Sequence, residues 1–369
     1  MKKIFLMLFF IFSLISFGKD EYSRGKIIER IGSKLENSLN TNIEVDGEEI
    51  KDVELFKVKI KDKEYIIESP IYVVEAYNLN LSKGDWVVVY KNSDEGILYI
   101  SDIDKRFSYF WMIGIFCGLA LLLARKKGLK SLIALGATVY MIFYYFIPLI
   151  VRGESPIIIS VIIALLSSCI TIFLVAGFTH KGVVAIIGSI GGTIFSGILS
   201  YIFVNKMSFS GYPTLDAIMY VDILKNIKVK ELISSGIILG SMGAIMDVSM
   251  SISSAITELR ENSINLGSKE LFKSGINIGK DMVGTMINTL ILAYIGSSLF
   301  DMIIIYKNLE NLPLTRLLNY EFIAVEILKS FTGSIGILIS IPITAYLGAH
   351  LHRRYRDIKI LKEKFFLRK

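Results

Sequence analysis

Asp247 interrupts a long apolar run, so it is the first residue to ask about chemistry. Around it Gly236, Gly240, Gly243, Asp247, Ser251, Ser254 and Glu258 recur at steps of four and three, which is one face of an α-helix. A carboxylate inside a membrane span is costly unless it faces a protein interior or a water-filled cavity, so Asp247 is expected at a ligand or ion site. The plainer alternative places it near a membrane boundary, bonded to a partner helix. A second polar face follows in Asn277, Asp281, Gly284, Thr285, Asn288 and Thr289. Polar groups such as Thr285 and Asn288 are expected to hydrogen-bond inside a bundle rather than stand unpaired in lipid. Asp247, Ser251, Ser254, Asp281, Thr285 and Asn288 are therefore the candidate lining of a transport or ligand path. Gly243 precedes Asp247 by four and Gly284 precedes Asn288 by four on helices of opposite direction, a pattern that either an inverted repeat or chance would produce.

Other chemistries find little support. The three histidines, His180, His350 and His352, lie at expected helix boundaries without zinc-ligand spacing, so no metal site is assigned. Cys117 and Cys169 sit in apolar runs and read as packing residues, leaving neither a disulfide nor a thiol metal site. The chain has no GxxxxGK[ST] loop to cradle a nucleotide phosphate, which argues against ATP hydrolysis, and it calls for no cofactor and no nucleic acid. Gly188 and Gly192 form a GxxxG spacing, and with Gly236, Gly240, Gly243 and Gly284 they are expected to let helices approach closely.

These faces need helices long enough to cross about 30 Å of hydrocarbon. Hydrophobic residues make up 53% of the 369 positions and the mean hydropathy is +0.55, a balance that points to a membrane protein. Seven spans are expected, at Ser108–Ala124, Leu129–Val151, Pro156–Phe178, Gly182–Val204, Leu232–Ser254, Val283–Ile305 and Phe322–Leu347. Between the fifth and sixth, Ser268 is expected to cap a short helix that Gly275 and Gly279 interrupt. Arg125-Lys126-Lys127, His180-Lys181 and the basic tail at 350–369 fall on one side, which the positive-inside rule makes cytoplasmic. The location expected is the bacterial cytoplasmic membrane, with the lipid bilayer as the first partner.

The N-terminus, Met1-Lys2-Lys3 followed by the short apolar run Ile4 to Phe17, reads as a signal peptide or signal anchor over 1–18. Lys19 to Asp104 then carries 12 basic and 19 acidic residues, whereas the rest of the chain has 29 and 15. Residues 19–105 are expected as a small extracytoplasmic β domain followed by the helical region 106–349. Strands are expected at Val53 to Ile60, Glu64 to Glu68, Ile71 to Ala76, Trp86 to Tyr90 and Ile97 to Ser101, with a turn at Ser82-Lys83-Gly84-Asp85. So small a sheet must curl to hide its edges, and an OB-like barrel is one arrangement that would do so. The fold class is thus mainly α, a polytopic helical bundle with a small all-β domain in front.

The segments GSMGAIMDVSMSISSAITEL, Gly240 to Leu259, and LFKSGINIGKDMVGTMINTLILAYIGSSL, Leu271 to Leu299, resemble the YibE/F-like family of bacterial membrane proteins. Weaker similarity runs through the earlier spans to about Gly348, and the Ser82 to Tyr90 turn and strand resemble the exported domain of YibE-like members. The resemblance implies signature positions at Gly243, Asp247, Ser251, Ser254, Gly279, Asp281, Gly284, Thr285, Asn288, Thr289, Tyr294, Gly296, Ser297 and Ser298. Lys280 stands where an arginine is common, keeping the charge but losing bidentate geometry. The family supplies architecture and no reaction. Three readings follow. The first is a permease or ion-coupled transporter of a small solute. The second is a non-enzymatic accessory or assembly protein whose exported domain binds an envelope partner, with a YibF-like subunit or a second copy docking on the bundle. The third, remote, is an intramembrane aspartyl hydrolase using Asp247 and Asp281, although the chain lacks a GxGD arrangement.

Overall fold

The structure is a computed structural model that describes residues 22–33, 43–45, 48–91, 98–212, 225–263, 266–308 and 313–366. The expected signal at 1–18 lies outside them. The chain divides into two compact units, Met1–Leu122 and Leu123–Lys369.

In the first unit, six strands are described: β1 Tyr22–Ser33, β2 Ile43–Val45, β3 Glu48–Ile60, β4 Lys63–Tyr72, β5 Trp86–Lys91 and β6 Leu98–Ile103. Five of them close into a barrel in the order β1-β5-β6-β4-β3, with β1 pairing back onto β3 and β2 extending β3 as a short hairpin. All neighbours are antiparallel except β4 and β6, which meet in parallel at Glu68 and Tyr99. A five-stranded Greek-key barrel of this kind is OB-like. Closure removes the edges that so small a sheet would otherwise expose. Alternation along β3, β4 and β5 sends Phe56, Val58, Ile67, Val87 and Val89 inward, where Ile27 and Ile100 complete the core.

Two expectations are corrected here. No strand was expected before Val53, yet β1 is the strand that closes the barrel. Its pairing with β3 slips between Ile27 and Glu29 and again between Arg30 and Gly32, and such bulges break the period of two that marks a strand in sequence. The separate strand expected at Ile71 to Ala76 is absent, because β4 runs unbroken from Lys63 through Pro70 to Tyr72 before a 3-10 turn at Glu75–Tyr77. The Ser82 to Asp85 turn forms as expected. Ser82 N donates to Asp85 Oδ2 at 2.8 Å, and Gly84 takes the positive φ of 100° that favours glycine.

Helix α1 runs Arg106–Met141 and continues through a π-helical turn at Ile142–Phe146 into Ile147–Val151. It leaves helical geometry at Arg125, with φ 47° and ψ −121°. The first two expected spans therefore occur as one broken helical stretch. Further on come α2 Pro156–Ala176, α3 His180–Lys206, α4 Val229–Asn262, α5 Ser268–Ser297, α6 Leu299–Asn308, α7 Leu314–Leu318 and α8 Glu321–Phe366. Among the described residues, five stretches are long and apolar enough to cross a membrane, and α5 with α6 makes a sixth if the pair, bent by 59°, counts as one. The bend falls at Gly296-Ser297-Ser298, a sequence of the kind at which helices kink.

In the second unit, α8 packs against α3, α4 and α5. Small residues let it come close. A Cβ added at Gly192 would meet the Gly336 carbonyl at 2.7 Å and Ser340 Cβ at 2.8 Å, and one at Gly188 would collide with Thr344. Ser196 Oγ donates to the Thr332 carbonyl at 3.1 Å across the same seam. Ile245, Val248, Ile252, Ile256, Leu271, Ile337 and Ile341 form the central apolar cluster.

The connector before α5 also differs from expectation. Gly275 and Gly279 do not interrupt it, and α5 is continuous over 30 residues. A side chain at Gly275 would meet Ile256 and Ala345, and one at Gly279 would meet Ile341, so these glycines seat α5 against α4 and α8. That burial offsets the roughly 1 kcal/mol each glycine costs a helix. Ser268 is not the cap. Gly267 is, with its N–H donating to Glu270 Oε2 at 2.8 Å.

Candidate functional site

Helices α4 and α5 run antiparallel, as the contacts of Ile256 at Gly275, Ile252 at Gly279 and Gly240 at Tyr294 require. Extended along the pair, that register carries Asp247 to the level of Gly284, Gly243 to that of Asn288 and Ser251 to that of Lys280 and Asp281. The two polar stretches thus occupy one band of depth. Their faces are the uncovered ones. Asp247, Asp281, Thr285 and Asn288 are exposed, and Ser251 and Ser254 are half-buried, while Ile245, Val248, Ile252 and Ile256 on the opposite side of α4 are fully buried.

Hydrogen bonding is local where it is seen. Thr285 Oγ1 donates to the Met282 carbonyl at 3.0 Å and Thr289 Oγ1 to the Thr285 carbonyl at 2.8 Å. Thr285 is therefore satisfied by its own helix and not by a partner across the bundle, as had been expected. Back-bonding of this kind leaves the hydroxyl oxygen's remaining lone pairs free to accept. The glycines divide. Gly188, Gly192 and Gly240 lie under neighbours, the last beneath the Tyr294 hydroxyl, 2.6 Å from where its Cβ would be, whereas Gly236, Gly243 and Gly284 have open space within 4 Å.

One ionisable cluster was missed. Glu326, in the second turn of α8, is 6% exposed, and its Oε1 accepts Lys329 Nζ at 2.6 Å. Tyr294 of α5 lies within electrostatic reach of Glu326. In sequence, Glu326 near the start of a helix that also begins with Glu321 reads as an ordinary terminal charge. The only available signal was its spacing of three from Lys329 inside an otherwise apolar run.

A second arrangement lies in the β-barrel unit. The Asp104 side chain is fully buried and takes Arg24 Nε at 2.6 Å and Arg106 Nε at 2.7 Å, so one carboxylate ties β1 to the first turn of α1. The hydrogen bonds from Arg106 hold the Asp104 carboxyl below the usual carboxylate range against the opposing effect of burial, with Arg24 adding its charge. Arg24 also lies 4.0 Å above the Trp86 ring. Tyr22, Arg24, Asp102, Lys105, Arg106 and Tyr109 border an open cavity of about 370 Å³ beside this clamp.

Among curated proteins and solved structures, none matches the chain. The YibE/F-like protein family does, over residues 112–354, a stretch that contains α2 to α7, most of α1 and the larger part of α8. With its run of apolar helices and the Asp247 and Asp281 bands inside the matched region, the chain belongs to the YibE/F-like family.

Proposed function

We propose that this chain is a polytopic permease of the bacterial cytoplasmic membrane, passing a small solute or ion along the polar band of α4 and α5. In this reading the stretch Arg106–Val151 is two spans folded at Arg125 and α5 with α6 is one, which makes seven. The β-barrel is then extracytoplasmic and the C-terminus cytoplasmic. The observation that carries the proposal is the placement of two carboxylates, Asp247 and Asp281, at neighbouring depths on uncovered faces of adjacent apolar helices, with Ser251, Thr285 and Asn288 beside them. Carboxylates there are too costly to face lipid, so a water-filled path closed by a second membrane subunit, another copy or a YibF-like chain, accounts for them.

The test begins with solutes that raise the apparent Tm of the purified protein, followed by flux of each such solute into proteoliposomes. Asp247→Asn and Asn288→Ala are expected to lower flux at least about tenfold, the equivalent of losing roughly 1.4 kcal/mol of stabilisation. Wild-type flux in both variants would end the assignment.

The cavity beside Asp104 favours a second reading, in which the barrel docks an envelope partner and the bundle is its anchor. Deleting residues 19–105 separates the two. A permease core retains flux without the barrel, whereas an accessory protein loses its phenotype with the bundle still folded. An Asp247 and Asp281 hydrolase is the weakest reading, because the register sets the two carboxylates about one helical turn apart in depth.

A further inference from the structure

The cavity beside Asp104 carries a surplus of positive charge. Its walls hold Arg24, Lys105 and Arg106 against two carboxylates, Asp102 and Asp104. That surplus runs against its surroundings, because Lys19 to Asp104 has 12 basic and 19 acidic residues. Asp104 engages Nε of Arg24, and Nε and Nη2 of Arg106, which leaves donors on both guanidinium groups without a hydrogen-bond partner among the described residues. Both arginine side chains are partly exposed, and the Trp86 ring lies 4.0 Å from the Arg24 guanidinium. Asp102 is the carboxylate that would oppose an anion here, and Lys105 stands 3.3 Å from it.

The depth of the cavity narrows what it could hold. Arg106 opens α1, and no residue from Phe107 to Ala124 is charged. At about 1.5 Å per residue that stretch is about 27 Å long, close to the hydrocarbon thickness of a bilayer, and it ends at Arg125-Lys126-Lys127. Phe107, Tyr109, Phe110 and Trp111 are all exposed in its first turns, the aromatic composition that collects at a membrane–water boundary. Lys105, Arg106 and Tyr109 belong to the cavity wall, so the cavity lies at the level of the lipid headgroups.

We propose that this cavity binds the phosphodiester of an anionic phospholipid from the leaflet in which α1 begins. Arg24 and Arg106 donate to the phosphate oxygens, and Lys105 adds its charge. The planar guanidinium fork matches a pair of phosphate oxygens, and Asp104 holds both forks in place from behind. At about 370 Å³ the cavity is within the usual range of small-molecule sites, roughly 300–1,000 Å³, so it takes a headgroup together with its phosphate. The acyl chains then lie along the exposed apolar surface of α1. Depth favours lipid over an envelope protein as the occupant. The inference rests on α1 crossing the membrane, as in the permease reading, and on nothing in the transport path.

Trp86 and Trp111 are the only tryptophans, so the full chain with Trp111→Phe has a single indole emitter. That emitter stands behind the cavity wall, where the Trp86 carbonyl accepts Asp104 N at 2.7 Å. Short-chain phosphatidylglycerol titrated into this protein in a neutral detergent is expected to change Trp86 emission saturably, and phosphatidylcholine to bind at least about tenfold more weakly. Arg106→Lys keeps an ion pair with Asp104 but loses the fork, and is expected to weaken phosphatidylglycerol binding about tenfold. If the barrel does not fold in that variant, Lys105→Gln leaves the clamp intact and is expected to weaken binding about two- to fivefold. Equal binding of the two lipids would overturn the proposal, as would unchanged affinity in a folded Arg106→Lys. Saturation by inorganic phosphate over the same concentrations would also overturn it, by assigning the cavity to a free anion. So would a folded protein that responds to no lipid, which would return the cavity to an envelope protein. Solute flux in Asp247→Asn is independent of this signal, so either idea can fail alone.

Discussion

Gly192 and Gly284 are both helical glycines, and an added methyl group separates them. At Gly192 it meets a backbone carbonyl at 2.7 Å and Ile245 Cγ2 at 2.8 Å, neither of which can retreat without moving a helix. At Gly284 it meets nothing within 4 Å. Gly192→Ala is therefore expected to destabilise the protein by about 1–3 kcal/mol, the usual cost of overpacking, and Gly284→Ala to be neutral or to stabilise by up to about 1 kcal/mol through helix propensity. Thermal unfolding of the two variants in one detergent checks both. If Gly192→Ala unfolds at the wild-type temperature, the seam between α3 and α8 is looser than described. Sequence spacing had grouped six glycines as packing residues, because periodicity finds a helix face without saying whether a neighbour stands against it. Glu326 was missed for the converse reason: a single acid near a helix start looks ordinary until burial is known.

Among the elements, β1 owes its place to contacts far along the chain, and Asp104 shows how they are secured. Because folding lowers this carboxyl's pKa, its contribution is complete above the unfolded value of about 3.9 and is lost as pH falls through the folded value. Asp104→Asn is expected to cost about 1–3 kcal/mol at neutral pH, toward the lower end because both arginines are partly exposed, and to flatten the acid limb of barrel stability. Hydrogen exchange along β1 as a function of pH measures this. Equal protection in wild type and variant would mean that the barrel closes without the clamp. The alternating strands β3 and β5 were legible because their own inward residues keep the period of two, the slip at Val88 and Val89 placing its extra residue in β6. Strand β1 was not, since two bulges scramble its alternation. Likewise, Gly275 and Gly279 read as helix breakers, and only the facing surfaces of Ile256, Ile341 and Ala345 show why the helix continues.

For the whole molecule, the apolar helices were legible from length and hydropathy, whereas their number depends on what happens at Arg125 and at Ser298. The seven-span reading makes a labelling prediction. Single cysteines at Lys126 and Lys181, in a background without Cys117 and Cys169, are expected to react with an impermeant thiol reagent only from the cytoplasmic side. One at Gly153 is expected to react only from the side of the barrel. Labelling of Lys126 and Gly153 from the same side would mean that the stretch between them does not cross. The barrel has a further consequence, for the timing of synthesis. Strand β1 is made first, yet its partners are β3 and β5, and the parallel seam of β4 with β6 cannot form before Ile103 has been added. At about 5–20 residues per second, some seconds pass while the earlier strands wait with unsatisfied edges, and any nascent chain stopped before Leu98 is left as an open, adhesive sheet.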